Sequence, residues 1–120
     1  MSSTPEGKVK KDIKKLLDEA GFWRAGAKQP DIPVAGSYYM PVQNGMGVIG
    51  IPDFVGVAWG GRRFDIEAKA PGEAPTPNQL KRHEEIVAAG GIVLVVDDVS
   101  KLAEFFNDHP PNEPWEPPCR

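Results

Sequence analysis

Apolar positions change period along the chain, and each change marks an element. Val9, Ile13, Leu16, Leu17 and Ala20 recur at the spacing of one helical face. Thr4-Pro5 stands before them, an N-cap followed by a proline suited to the first helical position. Gly21 supplies the stop, so a helix is expected from about residue 5 to residue 20. Residues 24–36 contain Gly26, Pro30, Pro33 and Gly36 and read as loop. Ser37 to Gln43, with its aromatic residues and valine, is a strand, and Asn44-Gly45 is a turn signal. Phe54 to Trp59 reads as a second strand, Gly60-Gly61 as the next turn, and Arg62 to Ala70 as a third strand. Thr76-Pro77-Asn78-Gln79 is a capping box that opens a helix running to about Ala89, with Gly90-Gly91 behind it. Ile92 to Val96 is wholly apolar, which predicts a short strand buried on both faces. Val99 to Asn107 makes a last helix, turning Leu102, Phe105 and Phe106 inward.

The expected order is therefore α-β-β-β-α-β-α. A strand, crossover helix and strand at the C-terminal end implies one parallel pair joined to an antiparallel meander. The fold class is α/β, a mixed sheet flanked by helices. A chain of 120 residues fits one domain. Residues 1–109 form that domain in this reading, and the Pro-rich tail 110–120 lies outside regular structure. No apolar run reaches 18 residues, so no membrane span is expected. The N-terminus lacks the charged and apolar regions of a secretory signal. The single cysteine, Cys119, cannot form an internal disulfide, so a reducing, cytoplasmic location is the default. The formal charge of −3 does not announce a nucleic-acid binder, but the charge is uneven. Residues 1–30 carry seven Lys/Arg against four acids, and residues 97–120 carry six acids against two bases.

The third strand carries the candidate chemistry. Its period of two puts Phe64, Ile66 and Ala68 on one face and Asp65, Glu67 and Lys69 on the other. Asp53 stands 14 residues before Glu67, and a hairpin turning at Gly60-Gly61 lays it across from residues 67 to 69. Two carboxylates and one ammonium in that space suit Mg²⁺ or Mn²⁺, and the Ala68 backbone carbonyl could add an oxygen. Glu6 projects within roughly 20° of Ile13 and Leu17 on the first helix. A carboxylate on a buried face needs a partner, and a metal-bound water is one candidate.

Each residue also has a plainer reading. Pro52-Asp53 is a common turn pair, and Glu67 with Lys69 could be an ion pair on an exposed strand. Gln79 is fully explained as the third helical residue of the capping box. Glu6 could simply favour the positive end of its helix. Lys8, Lys10, Lys11, Lys14 and Lys15 form either a solvated face or a grip on phosphates. Arg62 and Arg63 flank the hairpin turn and Lys81 and Arg82 follow Gln79, where they solubilise the surface or touch DNA. His83 reads as a surface or core-packing residue rather than a general base. His109 and Cys119 have no partners at metal-ligand spacing.

Gly50-Ile51-Pro52-Asp53, Ile66-Glu67-Ala68-Lys69-Ala70-Pro71-Gly72 and Gln79, in that order and spacing, resemble the VRR-NUC family. This is the virus-type replication-repair branch of the PD-(D/E)xK nuclease superfamily, and the resemblance covers about residues 4–106. It implies a restriction-endonuclease-like core and divalent-metal cleavage of DNA. By position, Asp53 and Glu67 would hold Mg²⁺ or Mn²⁺, Lys69 would align or polarise the water, and Gln79 and Glu6 would support them. Stand-alone, phage-type members are similar to homodimeric, structure-specific endonucleases that act on branched DNA such as Holliday junctions, which implies the host cytoplasm. A replication or helicase partner would be another chain. Two alternatives keep the same fold: a non-catalytic DNA-binding or adaptor domain, and a nuclease subunit active only with a replication or repair partner. Clustered carboxylates, which repel phosphate, argue against the first.

Overall fold

Thr4 Oγ1 accepts the Gly7 N–H at 2.9 Å and opens α1 (Pro5–Glu19), whose Val9, Ile13 and Leu17 form the buried stripe that the spacing predicts. The computed structural model describes residues 4–42 and 47–115. After α1 come β1 (Phe22–Arg24), β2 (Gly36–Tyr39), β3 (Phe54–Ala58), β4 (Arg62–Ala68), α2 (Pro77–Ala88), β5 (Ile92–Val96) and α3 (Val99–Asp108). Among the described residues these strands form one sheet in the order β1-β2-β3-β4-β5. The pairs β2/β3 and β3/β4 are antiparallel, whereas β1/β2 and β4/β5 are parallel. The mixed sheet, the hairpin at Gly60-Gly61 and the parallel crossover through α2 all match expectation.

Three details differ. β1 falls where the sequence reads as the start of a loop; it is three residues long, too short to show a period, and Phe22 anchors it in the core. β2 ends at Tyr39, not at residue 43, and Pro41 beyond it has no N–H to offer a ladder. The end of that expected strand and the Asn44-Gly45 turn lie outside the described residues. β5 is not buried on both faces: Ile92 and Val96 are buried, but Val95 is 40% exposed. Of the described strands only β4 flanks it, so it is an edge strand.

The sheet has two unlike faces. Phe22, Tyr38, Phe54, Phe64, Ile66 and Val96 point to the side covered by α1 and α3, where Ile13, Leu17, Leu102 and Phe106 meet them. A Cβ on Gly56 would stand 2.6 Å from the Phe64 ring, so a glycine on β3 makes room for that side chain. The opposite face carries Asp65 and Glu67; α2 packs on it at β5, while Tyr39 and Val57 on β2 and β3 stay exposed there. Residues 110–115 have no regular structure yet are fastened to the molecule: the Trp59 N–H donates to Pro111 O at 2.8 Å, and Trp115 stacks on His109.

Candidate active site

The β3/β4 register pairs Phe54 with Ile66, which sets Asp53 beside Glu67 at the end of the hairpin away from its turn. Asp53 is fixed there by its backbone neighbours. Gly50, at φ +79°, passes so close to α2 that a Cβ would lie 2.5 Å from Asn78 O. The segment Ile51-Pro52 then delivers Asp53, whose Oδ2 accepts the Ala68 N–H at 2.8 Å. A carboxylate from the loop is thus bonded to the backbone of the strand that carries Glu67.

Asp53, Glu67 and Lys69 are all buried, at 7%, 1% and 6% exposure. Burial of charge in a domain of this size is costly unless the groups compensate one another. Glu67 shows the strain. Burial pushes its pKa up to about 8, helped by a hydrogen bond to Asp53 and by the negative charge of Asp53; Lys69 pulls the other way, and Glu6 adds a further push. Protonated, Glu67 shares its hydrogen with Asp53. Two acids pressed together in this way are the arrangement that a cation relieves.

Glu6, Lys10, Met40, Pro41, Asp53, Glu67 and Gln79 line one cavity of about 350 Å³. α1 thus contributes Glu6 and Lys10, and α2 contributes Gln79, to the pocket built by the hairpin. Glu6 is half-buried rather than sealed in the apolar stripe, with Lys10 Nζ 3.5 Å from its Oε2. Gln79 completes the capping box: its Oε1 accepts the Thr76 N–H at 2.9 Å and its own N–H donates to Thr76 Oγ1 at 3.2 Å. The capping role and a position at the pocket wall coexist.

His83 takes the core position of its two sequence readings and adds a polar contact that the sequence did not specify. It is buried, and its Nε2 stands 3.4 Å from Glu67 Oε1. Burial, and then the charge of Lys69, lower its pKa, against the pull of Asp65. In the Nε2–H tautomer the ring donates toward Glu67. The signal is present in the sequence: His83 follows Gln79 by four residues, so both lie on one face of α2.

The remaining candidates are spread out. Asp65 is fully buried and holds the Arg63 guanidinium through two bonds of 2.8 and 2.9 Å. Arg62 donates to Gly90 O and Trp115 O, so both arginines sit at the turn end of β4. That is about 13 Å or more from Glu67 along the strand. Lys8 pairs with Asp12, Lys15 with Glu19 and Arg82 with Glu85. Lys11 and Lys81 are exposed on α1 and α2, and Lys14 is partly exposed on α1. Lys10 is the member of the α1 lysines that lines the pocket.

The donor set suits a hard divalent cation. It offers carboxylate oxygens, two of them buried and mutually repelling. Among the described residues no group of three or more His, Cys, Asp or Glu side chains is placed to hold a metal ion, so Asp53 and Glu67 are the protein donors on which such a site would depend.

A solved structure described as a VRR_NUC domain superposes on this chain with a TM-score of 0.63, covering 90% of this chain and 99% of the other at 24% identity. The chain has the VRR_NUC fold. No family model matches it. A curated relative, "Putative nuclease p44" of Acyrthosiphon pisum secondary endosymbiont phage 1, is 40% identical over 60 residues. That match takes in 48% of this chain and spans 64% of the relative's length. Within the VRR_NUC fold of this chain, the Asp53–Glu67 pair lies where the hairpin, α1 and α2 converge. No helix among the described residues is long and apolar enough to cross a membrane.

Proposed function

We propose that the chain is a VRR-NUC nuclease, a divalent-metal-dependent DNA endonuclease that hydrolyses phosphodiester bonds. The observation that carries this reading is the buried Asp53–Glu67 pair, with Lys69 beside it and an open polar pocket in front. A purely DNA-binding surface has no use for two carboxylates that repel phosphate. The nuclease named among its relatives and the shared fold support the same reading.

Asp53 and Glu67 would hold Mg²⁺ or Mn²⁺, and the Ala68 carbonyl would offer a further oxygen. The bound ion would supply positive charge for the phosphate oxygens and a water of lowered pKa. The chain's own residues do the positioning. Asp53 is locked by the Ala68 N–H, and Glu67 is steadied by His83. Lys69, held at its backbone by Val96 O at 2.9 Å, places an ammonium next to Glu67 to orient the attacking water. Gln79 is fixed by its cap at the wall where a sugar-phosphate would enter. Glu6 would act through a water, and the lysines of α1 would grip the flanking phosphates.

The substrate in this proposal is branched DNA such as a four-way junction, and the active form is a homodimer. One small domain carries one site, and two symmetric cuts need two sites related by a twofold axis. A panel of four-way junction, flap, fork, single strand and linear duplex, each with Mg²⁺ and with EDTA, tests the reading. Cleavage that needs Mg²⁺ and is fastest on the junction is the expected result. Cleavage unaffected by EDTA would reject the metal site, and equal rates across the panel would reject the branched-DNA preference. Light scattering should give twice the 13.1 kDa of one chain.

A further inference from the structure

Asp53 divides its two oxygens between unlike partners. Oδ2 accepts the Ala68 N–H at 2.8 Å. Oδ1 is 3.3 Å from Lys10 Nζ. The same ammonium stands 3.5 Å from Glu6 Oε2. Lys10 therefore bridges a carboxylate of its own helix and the carboxylate that precedes β3. Both acids and Lys10 itself line the cavity that holds Glu67. Burial works against the charge on Lys10, but Asp53 and Glu6 more than offset it and raise its pKa, so the group is a cation throughout the neutral range.

We infer that Lys10 is a tethered counter-cation of the site: it holds Asp53 and Glu6 together until a divalent cation is bound, and it competes with that cation for Asp53 Oδ1. An ammonium and a divalent ion sharing one carboxylate oxygen would stand roughly 4–5 Å from each other and repel. Loading the site thus requires Lys10 to release Asp53. The released ammonium remains in the wall of the same cavity, where a phosphate oxygen is its natural next partner. Lys10 is in this sense a positioning residue, and its contact raises the cation concentration at which the pocket fills. The inference rests on the metal-binding reading of the site proposed above.

Calorimetric titration of Mn²⁺ into the full chain, without DNA, tests it directly. A half-exposed ion pair of this kind is worth enough to tighten Mn²⁺ binding about 2- to 5-fold when it is removed in Lys10→Met. Lys10→Arg keeps the charge and the reach and should bind Mn²⁺ like the wild type. Lys8→Met removes the same charge from the same helix at an exposed position paired with Asp12, and should change binding by less than about 1.5-fold. A purely structural role for Lys10 predicts the opposite sign, because a loosened pocket binds Mn²⁺ more weakly. Lys10→Met binding no tighter than wild type, or Lys8→Met tightening it equally, overturns the competition while leaving the metal site standing. No Mn²⁺ uptake by the wild type overturns the metal reading itself, and the competition with it.

Discussion

At Glu67 the period of a strand and the register of a hairpin meet in one side chain. Both are properties of the sequence: alternation aims residue 67 to the polar face, and the Gly60-Gly61 turn sets Asp53 opposite it. The pair is legible for that reason. For His83 the spacing from Gln79 gives the face of α2 but not the partner, and the Lys10 contact is not legible at all, because both contacts depend on how α1 and α2 cross the sheet, which no local pattern encodes. The role of Glu67 makes two predictions. Glu67→Gln keeps the shape of the side chain but removes the charge, so single-turnover cleavage in Mg²⁺ should fall by more than about 100-fold, beyond the usual cost of losing a supporting group; a rate near wild type would remove Glu67 from the site. The second concerns pH. The folded protein keeps the Glu67 proton up to about pH 8, whereas the unfolded chain loses it near 4.5. Between those values the folded state binds more protons, so this contribution to stability is full below the lower value and is lost as pH rises toward 8. The slope is at most about 1.4 kcal/mol per pH unit. Urea unfolding in EDTA at pH 5 and pH 8 should show wild type losing more stability than Glu67→Gln over that range. Parallel losses in the two proteins would mean that Glu67 is not held protonated by its burial beside Asp53.

At the scale of elements, the capped helices and the Gly-marked turns read straight from the sequence because their signals are local. Thr76 and Gln79 announce α2, and the structure makes both bonds of the box. β1 is not legible, since three residues carry no period and its pairing with β2 is decided by Phe22 entering the core between Phe64 and Phe106. β5 reads as doubly buried because an apolar run does not reveal whether a strand has one neighbour or two. Gly50 joins element to site. Its φ of +79° and the 2.5 Å that would separate an added methyl group from Asn78 O leave no room for a side chain. Gly50→Ala should therefore cost about 1–3 kcal/mol by urea unfolding and also slow cleavage, because Asp53 follows three residues later. Gly72→Ala, with a similar φ of +82° but open space around it, should cost only about 1 kcal/mol and leave the rate of the folded protein alone. Equal losses from both would show that backbone conformation, rather than the close pass against α2, governs position 50.

The whole molecule ends its chemistry at one end of the hairpin and its fastening at the other. Trp59 follows β3 with φ +51°, a conformation that a bulky residue adopts only when its surroundings enforce it. They do so through residues 109–115: the Trp59 N–H donates to Pro111 O, its indole N–H donates to His109 O at 2.9 Å, and Trp115 packs edge-on against its ring. The sequence presents this stretch as a proline-rich tail without regular structure. It is irregular, but its carbonyls and one tryptophan complete the environment of a core residue, and composition does not disclose such contacts. A chain stopped after residue 109 would leave the Trp59 N–H without that acceptor and expose one side of its ring. The expected loss is about 2–4 kcal/mol by urea unfolding, from apolar area returned to water and from the lost hydrogen bond. Trp115→Ala alone should account for about half of it. Because Trp59 and Glu67 stand at opposite ends of the hairpin, cleavage by the truncated protein, measured where it is still folded, should stay within about twofold of the full chain. An unchanged unfolding midpoint would reduce residues 110–115 to a passive appendage, whereas a large rate loss at full folding would tie them to the catalytic pocket instead.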